Sequence, residues 1–245
     1  MPSVVITGAD RGFGYSLCNE FLSRGWKVFA GKYLSDYQLL EELSAENDNL
    51  TILPMDMTSR KSIEAARGIV LSEIGTLDMI VSNAAMMGSP GDGHTVNLLN
   101  PPMAIDHVEK MFVTNAIGAL VLTEVFLPLM EKSDMRRLCY ISSEMSSISL
   151  MFNRADSEFS YPMSKSALNM AVRLLHNDLY KDGYSFRLYQ PGPMWHVFPD
   201  GTHTTGPNKI DPAFSAAYAA KYFSEKCGDE QRLVLGDYLN HEYPF

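Results

Sequence analysis

Short apolar runs alternate along the chain with longer segments in which apolar residues recur at helical spacing. The short runs predict strands at residues 4–7, 28–30, 50–53, 79–82, 138–142, 186–189 and 233–235. The longer segments predict helices near residues 14–24, 36–45, 59–73, 105–130, 162–181 and 212–226. Aliphatic strands that alternate with helices are typical of a parallel sheet covered on both faces. The pattern therefore predicts an α/β fold with a doubly wound parallel sheet, whose ligands bind beyond the carboxyl ends of the strands.

Length and composition indicate one ordinary globular unit. The 245 residues are the size of a single large domain, and the 46% hydrophobic content is enough for a sizeable core. The net charge of −9 argues against a non-specific grip on nucleic acid or anionic lipid. We therefore expect a single domain over residues 1–245, with no nucleic-acid partner.

The three cysteines are odd in number, widely spaced and outside any CxxC or Cys/His cluster, so neither a disulfide framework nor a metal site is expected. This usage is typical of a reducing compartment. No apolar run reaches the ~18 residues that a membrane span needs, and residues 3–6 predict a strand rather than a signal peptide. These features predict a cytoplasmic protein without a membrane partner.

A glycine-rich turn, Thr7-Gly8-Ala9-Asp10-Arg11-Gly12-Phe13-Gly14, follows the first predicted strand and opens a helix. Glycines permit a tight turn and close backbone approach, and a helix N-terminus favours the negative charge of a pyrophosphate. The alternative is a plain strand-to-helix turn, because short glycine patterns have many false positives. The TGxxxGxG spacing resembles the cofactor motif of the short-chain dehydrogenase/reductase family, which implies a Rossmann fold. The cofactor contacts implied here are Thr7, Gly8, Arg11, Gly12, Phe13 and Gly14.

Tyr161 and Lys165 resemble the YxxxK motif of the same family and would share one face of a helix. A free tyrosine has a pKa near 10, too high for proton transfer near neutral pH. An ammonium ~4 Å away, at an effective dielectric near 20, would lower that value by roughly three units. The alternative is a surface Tyr–Lys pair. The resemblance implies that Tyr161 transfers the proton while Lys165 tunes it and holds ribose.

Two further catalytic roles are implied by the resemblance. Ser143, the second of two serines at the end of a predicted strand, would polarise the substrate carbonyl, although either it or Ser142 is as readily explained as a strand cap. Asn115 lies in an apolar helical run, where asparagine is unfavourable without partners. The family uses the matching Asn to interrupt the helix and to hold a water that links the lysine to solvent. The alternative is a solvent-facing Asn.

Other segments match the family in the same order along the chain. Residues 82–85 resemble its NNAG stretch, with Ser82 and Ala85 as departures. The adenine contact is implied at Asp56, for which helix capping is the alternative, and residues 191–194 match the PG motif beside the nicotinamide. Residues 236–239 resemble the closing segment, and the nearest likeness is to small carbonyl reductases of the C-signal and sniffer type. The further cofactor contacts implied are Asp56, Met57, Asn83, Ala84, Pro191, Gly192 and Met194.

Cofactor preference depends on the end of the second strand. An NAD site usually places an acid there, whereas this chain has Lys32. Lys32 and Arg11 are both suited to a 2′-phosphate, so NADP(H) is expected. Asp36 keeps NAD(H) open if the strand ends later.

Three loops, at about 86–102, 144–160 and 193–212, are expected to contact the substrate. They hold the candidate substrate residues Met86, Met145, Phe152, Trp195 and His196, within a wider apolar set of Met87, Met151, Phe159, Met194 and Phe198. Such walls predict an apolar substrate. With 15 methionines, adaptable packing explains them equally well. His196 stands where many relatives have a threonine that binds the nicotinamide carboxamide, which puts the cofactor geometry in doubt.

These features predict a reversible NADP(H)-dependent reductase of a small-molecule carbonyl, or dehydrogenase of the corresponding alcohol. One alternative is an isomerase or cyclase that uses the same cofactor and fold. Another is a non-catalytic dinucleotide-sensing protein, which would not need Tyr161 and Lys165. Relatives are commonly homodimers or homotetramers through the helices at 105–130 and 162–181, so a homo-oligomer is expected.

Overall fold

The computed structural model describes residues 1–88, 104–151 and 159–245. Its strands are β1 (Ser3–Ile6), β2 (Lys27–Lys32), β3 (Leu50–Pro54), β4 (Met79–Ser82), β5 (Arg137–Ile141), β6 (Ser185–Gln190), β7 (Leu235–Asp237) and β8 (Glu242–Tyr243). Its helices are α1 (Gly12–Ser23), α2 (Leu39–Glu46), α3 (Arg60–Glu73), α4 (Ile105–Phe112), α5 (Gly118–Met130), α6 (Ser160–Leu179) and α7 (Pro212–Ser224). A π-helical turn, Val113–Ile117, joins α4 to α5, and 3₁₀ turns occur at Glu144–Ser146, Ser149–Met151 and Tyr180–Asp182.

The eight strands form one sheet in the order β3-β2-β1-β4-β5-β6-β7-β8. All neighbouring pairs from β3 to β7 are parallel, and β8 is antiparallel to β7. The chain builds outward on one side to β3 and on the other to β7, so the direction of winding reverses between β1 and β4. The predicted doubly wound α/β class is confirmed. The reversal places a ligand crevice beyond the carboxyl ends of β1 and β4.

Two apolar clusters cover the two faces of the sheet, because successive strand residues point to opposite sides. Val4 and Ile6 pack with Leu17 and Phe21 of α1 on one face. Val5 belongs to the cluster on the other face, which includes residues of α3, α5 and α6. Full burial of each such aliphatic side chain contributes roughly 1.5–3 kcal/mol. The sheet is therefore a rigid support for the loops at its carboxyl edge.

The C-terminal edge of the sheet differs from the prediction. The last predicted strand, at residues 233–235, is wrong in position because β7 begins at Leu235, and the antiparallel β8 has no counterpart among the predicted strands. Asp237 stabilises the turn between β7 and β8. Its Oδ1 accepts from the N–H groups of Leu239 and His241 at 2.8 and 2.9 Å. The hydroxyl of Tyr243 donates to Asp237 Oδ2 at 2.8 Å. A two-residue strand held in this way leaves no periodic apolar pattern to detect.

The continuous helical run Ile105–Met130 is long and apolar enough, by length and composition, to cross a membrane. This corrects the expectation that no run reaches that length. Half of its apolar window is nevertheless buried inside the fold, and Leu122 and Phe126 belong to the sheet core. A core helix passes the same test, so the run is weak evidence for a membrane. A cytoplasmic location stays a prediction.

Candidate active site

The glycine turn after β1 has a backbone that excludes larger residues at two positions. Gly8 has φ +62°, and a Cβ there would come within 2.7 Å of Ala84 Cα. A Cβ at Gly14 would lie 2.2 Å from the Gly8 carbonyl oxygen and 2.6 Å from Asn83 Nδ2. The helix α1 begins inside this turn, at Gly12. The turn is thus packed closely enough for its N–H groups and the helix N-terminus to approach a phosphate.

Thr7 and Asn83 fix the turn to the end of β4. The Thr7 hydroxyl oxygen accepts from the backbone N–H groups of Asn83 and Ala84, both at 3.0 Å. Asn83 Nδ2 in turn donates to the carbonyls of Thr7 and Gly8 at 2.8 and 2.9 Å. The two loops that flank the reversal in winding are therefore a single hydrogen-bonded unit. Both residues are among the predicted cofactor contacts, a role that stays a prediction.

Asp10 joins the same turn to the loop after β2. It is buried, and its Oδ1 accepts from the N–H groups of Tyr33 and Leu34, both at 2.7 Å. The strand β2 ends at Lys32, so a basic residue does occupy the strand end on which cofactor preference depends. Asp36 lies four residues beyond this strand end. Lys32 forms an ion pair with Glu41. Burial raises the pKa of Glu41, but the hydrogen bond from Lys32 outweighs this effect, so the pKa is lowered overall.

Tyr161 and Lys165 lie one turn apart on α6 and are both buried. Lys165 Nζ donates to the Ile141 carbonyl at 2.8 Å and lies 5.8 Å from the centroid of the Tyr161 ring. Desolvation by burial lowers the pKa of Lys165 to about 8. Lys165 is thus the cation beside the Tyr161 ring, and both side chains lie on one buried face of α6.

The two adjacent serines after β5 differ in their surroundings. Ser142 is 2% exposed, and its hydroxyl donates to Asn169 Oδ1 at 2.7 Å. Ser143 is partly exposed, and its Oγ accepts from the N–H of Met145 at 3.2 Å. That contact uses a lone pair and leaves the Ser143 proton for another acceptor. Of the two, Ser143 is the hydroxyl that suits a bond to substrate.

Asn115 lies at the centre of the π-helical turn and is 2% exposed. Its Oδ1 accepts from the Met86 N–H at 2.7 Å, and its Nδ2 donates to the Met86 carbonyl at 2.9 Å. Nδ2 also lies 2.9 Å from Ser164 Oγ, which donates to the Tyr161 carbonyl at 2.8 Å. The solvent-facing alternative is wrong. The helix does change its winding at this residue, and π turns are frequent at functional sites.

The loop after β3 holds the predicted adenine contacts. Asp56 Oδ1 accepts from the Thr58 N–H at 2.8 Å and from its hydroxyl at 2.7 Å. These contacts form a local turn, and the helix-capping alternative for Asp56 is wrong because Ser59 is the N-cap of α3, where its Oγ accepts from the Ser62 N–H at 3.3 Å. Met57 is buried, and α5 packs on its backbone so closely that a Cβ at Gly118 would lie 2.5 Å from the Met57 carbonyl oxygen.

The PG segment after β6 leads into a short antiparallel hairpin over residues 196–204, in which Val197 is bridged to His203. Gly192 has φ +87°, and a Cβ there would lie 2.6 Å from the Tyr238 ring, while Pro191 is buried. Met194 pairs with Ile210 as an isolated bridge. Trp195 stacks on His203 with ring centroids 4.3 Å apart. His196 is tied to the returning strand by its N–H, which donates to Thr204 Oγ1 at 2.9 Å.

Arg11 contacts this hairpin from the glycine turn. Its Nη1 lies 2.9 Å from His196 Nε2 and 3.3 Å from the Val197 carbonyl. The same nitrogen donates to the hydroxyl of Tyr37, which in turn donates to the Val197 carbonyl at 3.0 Å. The guanidinium carbon lies 4.9 Å from the Tyr37 ring centroid.

Of the predicted substrate residues, Met86, Met145 and Trp195 are half-buried and His196 is exposed. Phe152 lies outside the described residues, as do parts of the 86–102 and 144–160 loops. No cluster of three metal-ligating residues occurs within residues 1–88, 104–151 and 159–245. Sequence reasoning missed Asp10, Tyr37, Ser164 and Asn169 as site-forming residues. For Asp10 a signal exists, since an acidic residue inside a glycine turn needs a partner.

A profile of the short chain dehydrogenase family matches residues 2–197. The chain therefore belongs to this family. Estradiol 17-beta-dehydrogenase 2 from mouse is 32% identical over 193 residues, which are 78% of this chain and 47% of the mouse protein. The chain thus spans about half the length of that curated relative.

Two other relatives align along nearly their whole length. Short-chain dehydrogenase anuI from Penicillium roqueforti is 29% identical over 251 positions, covering 95% of this chain and 96% of the fungal protein. A carbonyl reductase from Pseudomonas aeruginosa, solved in complex with NADP, is 25% identical with a TM-score of 0.81, and all of both chains is covered. The Rossmann-type architecture is thereby confirmed.

Proposed function

We propose that this chain is an NADP(H)-dependent oxidoreductase that interconverts a carbonyl group and an alcohol on a largely apolar small molecule. One observation carries the proposal. Lys165 lies against the ring of Tyr161 and binds the carbonyl of Ile141, two residues before Ser143. A proton-transfer group, a cation that tunes it and a hydroxyl donor are therefore held near the carboxyl end of β5.

The residues around the crevice suit a dinucleotide. Gly8 and Gly14 form a turn that a Cβ at either position would obstruct, and α1 has no acidic residue in its first turn to repel a phosphate. Thr7, Gly12, Phe13, Asn83 and Ala84 complete this end of the proposed site, with Asp56 and Met57 at the adenine and Pro191, Gly192 and Met194 at the nicotinamide.

When bound, the nicotinamide would supply hydride to the carbonyl carbon or accept it from the alcohol. Tyr161 donates a proton to the oxygen in reduction and removes it in oxidation. The Lys165 charge makes the phenol acidic enough for this near neutral pH and holds the ribose. Ser143 donates a hydrogen bond to the oxygen as negative charge develops there. Asn115 supports the site by holding Met86 and, through Ser164, the first turn of α6.

The phosphate preference rests on Arg11 and Lys32. Arg11 adjoins the glycine turn, and Lys32 ends β2 where an NAD site usually has an acid. The Pseudomonas aeruginosa carbonyl reductase is described as a complex with NADP. Asp36 is exposed beyond the strand end, so NADP(H) is preferred over NAD(H).

An apolar substrate is supported by the side chains beside the site. Met86, Met145 and Trp195 are half-buried, and such surfaces bind apolar molecules with few polar anchors. The name of the mouse relative specifies estradiol. A panel of ketosteroids, aromatic aldehydes and aliphatic ketones therefore covers the expected range.

The test is consumption of NADPH by the purified protein with this panel. Wild type should reduce at least one member with one NADPH consumed per alcohol formed. Tyr161→Phe should lose about 10²–10⁴-fold in kcat while still binding NADPH. Tyr218→Phe, which changes a half-exposed tyrosine on α7, is the matched control and should keep full turnover.

Other results would select another function. NADPH binding with no turnover of any panel member would favour the dinucleotide-sensing alternative. Product formation without net NADPH consumption would favour an isomerase or cyclase. Full turnover by Tyr161→Phe would remove that residue as the proton donor.

We further propose a homo-oligomer through the π turn, α5 and α6. Ile117 at the end of the π turn and Leu120 on α5 are exposed. On α6 the exposed apolar residues are Met163, Met170 and Leu174. Sedimentation should show a dimer or tetramer. Met170→Glu should reduce the oligomer, whereas Leu71→Glu, at a similarly exposed position on α3, should leave it intact.

A further inference from the structure

Three residues of α6 follow one another at four-residue intervals on a single buried face. Tyr161, Lys165 and Asn169 are 8%, 2% and 5% exposed. Lys165 binds the carbonyl of Ile141, and Asn169 binds the side chain of Ser142, the next residue. Successive turns of α6 are therefore joined to successive residues at the end of β5.

Both the oxygen and the nitrogen of the Asn169 carboxamide form hydrogen bonds. Its Oδ1 accepts from the Ser142 hydroxyl at 2.7 Å, and its Nδ2 donates to Ser146 Oγ at 2.7 Å. The Ser146 hydroxyl then donates to the Ser143 carbonyl at 2.5 Å. The Ser142 hydroxyl also lies 3.3 Å from Ser146 Oγ, a longer contact than its bond to Asn169, so the shortest bonds run from Ser142 through Asn169 and Ser146 to the Ser143 carbonyl.

The chain of bonds ends on the residue that carries the candidate oxyanion donor. The Ser143 carbonyl also accepts from the Ser146 N–H at 3.0 Å, which closes the 3₁₀ turn Glu144–Ser146. The Ser166 hydroxyl donates to the Ser146 carbonyl at 2.7 Å and attaches this turn to α6 a second time. Ser143 is thus held from its neighbours on both sides.

Packing alone does not require these groups. A buried carboxamide and two buried hydroxyls stabilise a core only when all their hydrogen bonds are made, and an apolar set would avoid that requirement. The hydrogen-bonded set adds a geometric constraint that apolar packing would not. Hydrogen bonds fix both the distance and the angle between α6 and the Ser143 backbone.

We propose that Asn169 is a positioning residue that fixes the Ser143 hydroxyl relative to Tyr161 and Lys165. The inference rests on the proposed function, in which Ser143 and Tyr161 act on the same substrate oxygen. A displacement of about 1 Å in such a group costs on the order of 100-fold in rate. Asn169 touches neither substrate nor cofactor and acts only through Ser142 and Ser146.

The kinetic test is a double-mutant cycle between Asn169→Ala and Ser143→Ala. Asn169→Ala should lower kcat by about 10- to 100-fold, with KM and the Kd for NADPH changed less than about twofold. Ser143→Ala should lose about 10²–10³-fold. In the Ser143→Ala background, Asn169→Ala should cost almost nothing further. Equal losses in both backgrounds would overturn the proposal.

Asn19→Ala is the matched control, because Asn19 donates from a helix to the Tyr15 carbonyl at 3.1 Å, away from the site. It should leave kcat unchanged. If Asn169→Ala fails to fold, Ser142→Ala removes one bond of the same chain and should show the same dependence on Ser143.

Crystal structures of wild type and Asn169→Ala separate this proposal from the proposed function. The Ser143 hydroxyl should move by about 1 Å while Tyr161 and Lys165 stay in place. An unmoved Ser143 would contradict the positioning role whatever the activity. If wild type reduces nothing, the proposed function fails, and the displacement of Ser143 still decides the role of Asn169.

Discussion

Arg11 Nη1 lies 2.9 Å from His196 Nε2, a contact between residues 185 positions apart in the chain. Arg11 follows β1, and His196 follows β6, and these strands are separated in the sheet by β4 and β5. All four strands are parallel, so their carboxyl ends lie along one edge. The hairpin after β6 therefore reaches across the crevice above β4 and β5 to the glycine turn, where the cofactor is proposed to bind.

This contact predicts that the hairpin slows exchange of the cofactor. His196→Ala removes an acceptor for a charged donor in an exposed contact worth about 0.5–1 kcal/mol. Association and dissociation of NADPH should therefore both accelerate by roughly two- to fivefold. The Kd should change much less than either rate. Stopped-flow fluorescence of NADPH measures both rates. His203→Ala, which loses a stacking contact of the same hairpin but none to Arg11, should accelerate exchange less. Unchanged rates in His196→Ala would show that the hairpin does not limit entry.

The same contact predicts a pH dependence of exchange. Although the His196 side chain is exposed, partial desolvation and the positive charges of Arg11 and Lys209 lower its pKa. Only the neutral ring accepts from Arg11, so the contact is complete above the ordinary histidine pKa of about 6.5 and is lost as the pH falls through the lowered value. NADPH dissociation should therefore accelerate in acid. His196→Thr should show no such step, and a step that persists in this variant would assign it to another group.

Arg11→Ala should weaken NADPH binding by roughly 10- to 100-fold, because a charged hydrogen bond contributes about 1.5–3 kcal/mol. NADH, which lacks the 2′-phosphate, should be affected much less. Lys32→Ala should have a smaller effect, since its ammonium is paired with Glu41. Fluorescence titrations give the affinities, with Arg24→Ala, on an exposed ion pair of α1, as the control. Equal losses for the two cofactors would remove Arg11 from phosphate recognition.

Lys165 makes stability depend on pH in the alkaline range. Desolvation by burial lowers its pKa from 10.5 to about 8, so between these values the unfolded chain binds more protons than the folded one. The free energy of unfolding should therefore rise with pH across this window, by at most about 1.4 kcal/mol per pH unit. Urea unfolding at several pH values measures the slope. Lys165→Met should reduce it and Lys181→Met, at an exposed lysine, should not. Equal slopes in wild type and Lys165→Met would contradict the prediction.

The sequence predicted those parts of the site that local constraints determine. The glycines at positions 8 and 14 and the polar Asn115 in an apolar helix conflict with ordinary local preferences, which makes them visible, whereas the YxxxK pair was found through its resemblance to a family motif. The choice of Ser143 over Ser142 came from the family resemblance, whereas the internal hydrogen bond of Ser142 to Asn169 could not be predicted because nothing local links residues 27 positions apart. The contact between Arg11 and His196 is equally invisible, since nothing local links residues so far apart.

Asn115 also connects two points of the chain that are distant in sequence. The Asn115 carboxamide binds both backbone groups of Met86. The helix α4, which leads into the π turn that holds Asn115, begins at Ile105. Met86 and Ile105 are therefore both attached to the same helical run. Insertions or exchanges within the segment between them need not shift Tyr161, which Asn115 reaches through Ser164. A chimaera that takes this segment from a relative is therefore expected to keep Tyr161, the proposed proton donor, in place.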